Sequence, residues 1–190
     1  MIPVFTIDGL LPPFQGSDPG QQPAFLSPYE VTAFEVVERF GSTDNRREIL
    51  RKWLEHRAAL RGIGLDRGFQ WLDGSFVENK EPKDIDLVSF VYRPLAAVDE
   101  TQWRAFMNAN SGLLQRNRIK QVFNLDAFFL DMDGDAETLV LISRYFLQLF
   151  SHQRSTYLWK GMLQVRMDDI QDDAAALLLL SSGSPEGVQP

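Results

Sequence analysis

The segment Trp71-Leu72-Asp73-Gly74-Ser75, followed closely by Asp84-Ile85-Asp86-Leu87, constrains this chain more than any other stretch. Phe69-Gln70-Trp71-Leu72 is apolar and β-prone, and the glycine-serine pair after it turns the chain sharply. Leu87, Val88, Phe90 and Val91 continue from the aspartates as a second apolar run, so both carboxylates stand at the mouth of a core strand. Residues i and i+2 of a strand share a face, which spaces Asp84 and Asp86 by roughly 6–7 Å on one surface. Charges in such a place need a partner, and a divalent cation carrying a nucleoside triphosphate is one. Gly74 lets the backbone approach a phosphate, while the Ser75 hydroxyl and nearby N–H groups donate to its oxygens. Taken singly, an Asp-x-Asp pair is more often a solvated strand end, and Gly-Ser more often a hairpin turn.

A phosphoryl-transfer site needs a third carboxylate facing the same way from the next strand. Residues 119–130 read as that strand, and Asp126 is the only charge within Val122-Phe123-Asn124-Leu125-Asp126-Ala127-Phe128-Phe129-Leu130. Asp131 has the opposite parity and points elsewhere. Cations are needed as well. Lys160 lies inside the apolar stretch Tyr157–Leu163, where it is either a triphosphate contact or an edge-strand lysine that discourages aggregation. Arg144, on a helix face, and Arg154, in a loop, rank below it as residues that are usually only solvated.

Together, Gly74-Ser75, Asp84-x-Asp86 between apolar neighbours and Asp126 in a later strand resemble the nucleotidyltransferase motif of the DNA polymerase β superfamily. Within it the chain is similar to a bacterial group of small nucleotidyltransferase-like proteins of uncharacterised function. Those proteins carry segments like Ile2–Pro13, Asp73-Gly74-Ser75-Phe76, Pro82–Leu87 and Trp159-Lys160-Gly161-Met162. The resemblance implies an α/β (α+β) polymerase β-like fold, with a mixed central sheet flanked by helices. It implies a two-metal site in which Asp84 and Asp86 bind the Mg²⁺ or Mn²⁺ that accompanies an NTP. Asp126 would hold a second ion about 3.5–4 Å away and activate the attacking hydroxyl. Ser75 would contact the terminal phosphates. The implied reaction is in-line transfer of a nucleoside monophosphate to a tRNA, protein or small-molecule hydroxyl, in a toxin-antitoxin or phage-defence setting. The rival reading is a nucleotide-binding module without turnover, acting as antitoxin, sensor or subunit through a protein partner.

Composition bounds the rest. At 190 residues and 44% apolar, the chain suits one domain with a real core: an extended segment over 1–27, a domain over 28–180 and a disordered tail over 181–190. It has no cysteine, no basic-then-apolar leader pattern, and no aliphatic block longer than Leu177–Leu180, which points to a soluble cytoplasmic protein without a membrane partner. A net charge of −7 argues against a broad nucleic-acid-binding surface. Arg46, Arg47, Arg51, Lys52, Arg57 and Arg61 fall on one helix and read as a solvated face, with tRNA or an acidic partner as the alternative occupant.

Periodicity and punctuation predict an α/β alternation. Ser27, Pro28 and Glu30 read as the N-cap, first residue and capping-box glutamate of a helix running to Phe40. A second helix covers 44–61, and strands cover 68–73 and 84–93. A helix carries Trp103, Phe106, Met107, Leu113 and Leu114, and another covers 136–150, burying Leu139, Ile142, Tyr145, Phe146, Leu149 and Phe150. A strand over 157–167 returns to the sheet, and a short helix beginning near Asp172 ends the domain. Asp131–Asp135 lacks calcium-loop spacing and reads as a turn. His56 and His152 read as ordinary polar surface residues, without the partners that structural zinc requires.

Overall fold

A computed structural model of the protein describes residues 1–18, 20 and 22–182, so most of the expected tail, from residue 183, lies outside the described residues. Five strands form one mixed sheet in the order β1-β5-β2-β3-β4. They are β1 (Tyr29–Val31), β2 (Gly68–Asp73), β3 (Ile85–Val91), β4 (Leu125–Asp131) and β5 (Leu163–Arg166). β2 is antiparallel to both β3 and β5, while β1 with β5 and β3 with β4 are parallel pairs. The helices are α1 (Ala33–Phe40), α2 (Asp44–Gly62), α3 (Glu100–Ala109), α4 (Ser111–Leu114), α5 (Arg116–Phe123), α6 (Ala136–Phe150) and α7 (Ile170–Ser181).

Alternation along the strands sorts the core into two layers. Leu72, Leu87, Leu125, Ala127 and Leu163 pack on one face against Val37 of α1, Trp53 and Leu54 of α2, Ile119 of α5 and Ala176 of α7. Trp71, Val88, Phe90 and Leu130 pack on the other, against Phe146 and Phe150 of α6. The chain is therefore a mixed α/β fold with helices on both faces of the sheet. No helix among the described residues is long and apolar enough to cross a membrane.

Several expectations are corrected. The first helix does not begin at Ser27–Glu30. Tyr29 and Val31 alternate with exposed Glu30 in β1, and the capping box belongs to Thr32 and Glu35. The pattern Ser/Thr-x-x-Glu occurs twice ahead of this helix, and pairing of Tyr29–Val31 with β5 selects the second copy. Residues 116–123 are helical rather than the start of a strand. Ile119 is buried in the core, and Asn124, left-handed at φ 54°, ends the turn before β4. The helix expected through Leu114 breaks at Asn110 into α3 and α4. Of the expected strand over 157–167, only Leu163–Arg166 joins the ladder. α6 has the expected bounds but buries only Phe146 and Phe150, leaving Ile142 38% and Tyr145 60% exposed. Its apolar residues encircle the helix, whereas one sheet face covers a single stripe.

The cations of α2 are only in part a solvated face: Arg51 and Lys52 pair there with exposed Glu48, while others turn inward. Arg46 donates to the carbonyls of Phe76 at 2.9 Å, Glu78 at 2.9 Å and Lys80 at 2.6 Å, which pins the segment after β2. Arg57 is buried with Asp173 of α7, and Arg61 joins the same carboxylate. His56 is buried too, its Nε2–H donating to the Leu113 carbonyl at 2.9 Å. Burial pulls its imidazole down to about 4, and the Arg57 charge pulls the same way against that hydrogen bond.

Candidate active site

The site is built where β2 ends. Gly74 takes φ +77° and turns the chain into the 3-10 turn Gly74–Val77. A Cβ at this position would sit 1.9 Å from Asp86 Oδ2, so only glycine lets the bend close over that carboxylate. The ladder then aligns three aspartates. Asp73 of β2 is opposite Asp86 of β3, and Asp86 is level with Asp126 of β4. Their parity matches Trp71, Val88 and Phe128, which puts them on the α6 face at one end of the sheet.

Each carboxylate has a different environment. Asp73 is 3% exposed, and burial pushes its carboxyl up to about 7, with Asp86 adding to the effect against the pull of Lys160 and the Gly74 N–H. Its Oδ1 lies 3.0 Å from Lys160 Nζ, yet at an angle that gives this buried oxygen no hydrogen bond. Burial also raises Asp86, and repulsion from Asp126 reinforces it, against attraction from Arg154, Lys160 and Arg116. Asp126 is held low by Arg116, whose Nε and Nη2 donate to its two oxygens at 2.5 and 2.6 Å.

Two sequence expectations change here. Asp84 lies just before the first residue of β3, and its carboxylate is bound by Lys120 of α5. The residue in register beside Asp86 on the β2 side is instead Asp73. Lys160 is 3% exposed, bonded to the Gly74 carbonyl at 3.0 Å and Glu78 Oε1 at 3.2 Å. It is neither an edge-strand lysine nor a freely available phosphate ligand, because it cross-links the bend to the residues after it.

A pocket of ≈ 300 Å³ opens over this end of the sheet, lined among others by Gly74, Ser75, Asp86, Arg154 and Lys160. Asp84 and Asp126 lie outside its lining. Arg154 makes no ion pair among the described residues, so it is the cation of the pocket whose charge is free for a ligand. Asp73 was legible from its parity with Trp71, one residue before the glycine. Arg154 sits in an irregular turn whose position no periodicity encodes, and Arg144 is not part of the pocket lining.

The carboxylates suit a hard divalent ion in donor type, since Mg²⁺ and Mn²⁺ prefer oxygen ligands. The unbonded Asp73 Oδ1 and the raised Asp86 carboxyl are groups that such a charge would satisfy. Among the described residues no three His, Cys, Asp or Glu side chains already stand in a metal-binding group. Arg116 is paired with Asp126, and Lys120 with Asp84. Arg116 is 55% exposed and Asp126 19%, so the guanidinium has water to move into if a divalent ion takes its place.

Residues 3–166 match the family described as Family of unknown function (DUF6932). The chain belongs to this family. The matched span ends with the last residue of β5, so it takes in the whole sheet, the Gly74 bend and Lys160, and leaves α7 outside. No curated protein and no solved structure matches the chain.

Proposed function

We propose that this pocket transfers a nucleoside monophosphate from a metal-bound NTP to a hydroxyl, on a polymerase β-like arrangement of strands. The observation that carries the reading is the alignment of Asp86 with Asp126 on adjacent parallel strands, directly beside the Gly74-Ser75 bend. Asp86 and Asp126 would hold the ion, with Asp73 behind them and Asp84 available if Lys120 releases it. When bound, Mg²⁺ or Mn²⁺ would neutralise charge at the α-phosphate and favour ionisation of the attacking hydroxyl.

The protein's own groups do the rest. The Ser75 hydroxyl and the N–H groups of the bend donate to the terminal phosphates, and Arg154, in the same lining, offsets their charge. Asp126, freed from Arg116, accepts the proton of the acceptor hydroxyl. Pyrophosphate leaves toward Ser75 and Arg154. Lys160 acts by fixing Gly74 and Glu78 rather than by touching substrate. A tRNA end, a protein side chain and a small molecule all present suitable hydroxyls.

One observation favours a second reading, a nucleotide-binding module without turnover. Arg116 and Lys120 already neutralise Asp126 and Asp84, as they would in a site that no longer recruits metal. Incubation with each α-labelled NTP, Mg²⁺ or Mn²⁺, total tRNA and protein separates the two. Label transfer that disappears in Asp86→Asn/Asp126→Asn supports the enzyme. NTP binding with no transfer to any acceptor supports the module.

A further inference from the structure

Next to the phosphate pocket, and sharing His152, Gln153 and Arg154 with it, lies a larger groove of ≈ 590 Å³ between α6 and the turn that follows. Two tyrosine rings line it. Tyr145, on α6, is 60% exposed and Tyr157 is 80% exposed, an unusual outlay of aromatic surface to water beside the pocket that Arg154 lines. Tyr157 also holds a left-handed backbone at φ 59°, which a bulky side chain rarely adopts.

That conformation is fixed from the acidic site itself. The Tyr157 N–H donates to the Gln153 carbonyl at 2.8 Å, and Gln153 Nε2 donates to Glu78 Oε2 at 2.9 Å. Glu78 is in turn the partner of Lys160. The Tyr157 backbone is thus tied through Gln153 and Glu78 to the lysine that holds the Gly74 bend. On the α6 side the side-chain amide of Gln148 hydrogen-bonds to nothing among the described residues, which leaves a donor and an acceptor at the groove wall.

Flat aromatic walls, a free amide and a shared guanidinium describe a place for a planar heterocycle joined to phosphate. Resting on the nucleotide-transfer reading of the adjoining pocket, we infer that this groove takes the base of the bound nucleotide, and that it prefers purines. Stacking on Tyr145 and Tyr157 grows with ring area, so a purine gains more than a pyrimidine. Arg154, on the border of both spaces, would meet the phosphates as they pass from one to the other. An apolar peptide would fit the tyrosines but would leave Arg154 and Gln148 without partners.

The test is calorimetric titration with Mg²⁺ and each of ATP, CTP and inorganic tripolyphosphate. ATP should bind about tenfold or more tightly than tripolyphosphate, and more tightly than CTP. Tyr145→Ala and Tyr157→Gly, the latter chosen because glycine keeps the positive φ, should bring ATP down toward tripolyphosphate while leaving tripolyphosphate itself unchanged. Equal affinity for ATP and tripolyphosphate, or an ATP advantage indifferent to both tyrosines, overturns the base groove and leaves the phosphate pocket standing. If tripolyphosphate and ATP both fail to bind, the pocket reading falls and the groove falls with it.

Discussion

Replacing Asp173 by alanine strands the guanidinium of Arg57, which is 0% exposed in the protein. Asp173 accepts from Arg57 Nε at 2.7 Å and Nη2 at 2.9 Å, and from Arg61 Nη1 at 2.6 Å. Without it, Arg57 keeps the Gln70 side-chain oxygen at 3.0 Å and the Arg166 carbonyl at 2.5 Å, neutral acceptors that cannot balance a buried charge. An uncompensated charge of this kind costs about 3–5 kcal/mol. With a urea dependence of about 2 kcal/mol per molar, the unfolding midpoint should fall by about 1.5–2.5 M. Asp168→Ala is the control, because its pair with Arg166 is 50% and 60% exposed and should contribute less than about 1 kcal/mol. Arg57→Met/Asp173→Leu removes both charges and should recover most of the loss. The consequence reaches the site, since Gln70 also accepts from Trp53 and donates to Ser89, behind the strands that carry Asp73 and Asp86. A loss under about 1 kcal/mol for Asp173→Ala would mean that Arg57 escapes to water, and would refute the reasoning.

Gly74→Ala should cost about 1–2 kcal/mol from the left-handed backbone alone, and should abolish tripolyphosphate binding because the new Cβ displaces the Asp86 carboxylate; unchanged binding in calorimetry would contradict it. For His56, the unfolded chain takes up a proton near 6.5 that the fold refuses until about 4, so stability present at neutral pH is lost as pH falls through that window. His56→Gln should flatten the urea midpoint between those two pH values relative to wild type, and an unaltered pH slope would count against the assignment. Lys160→Met should lower stability by about 3 kcal/mol or more, because Asp73 and Glu78 lose a buried partner. Arg154→Ala should leave the melting temperature in place yet weaken tripolyphosphate binding about tenfold. The reverse pattern in thermal melts and titrations would exchange the roles given to these two cations.

Local pattern carried much of the architecture. The apolar alternation of Phe69–Asp73 and Leu87–Val91, the periodicity of 44–61 and the bounds of 136–150 all sit where the sequence places them. What was hidden depends on partners distant in the chain. Arg57 and Arg61 look like a solvated stripe until α7 brings Asp173 to them from more than a hundred positions away. Val122 and Phe123 are β-prone, but docking of Ile119 into the core holds their segment as a helix. Ser27-x-x-Glu30 and Thr32-x-x-Glu35 are equivalent as caps, and only the pairing of β1 with β5 distinguishes them. In the site, parity placed Asp86 and Asp126 correctly on one face, because both lie inside strands. Asp84 lies one residue outside β3, where strand parity no longer applies, and it pairs with Lys120.

Binding of Mn²⁺, followed by the loss of its free-ion electron paramagnetic resonance signal in the presence of a non-hydrolysable ATP analogue, bears most directly on the site. Saturable uptake by wild type that is lost in Asp86→Asn and in Asp126→Asn, and strengthened in Arg116→Ala, is the expected result. Uptake that ignores Asp86 and Asp126, or no uptake at all with the nucleotide present, would contradict the account.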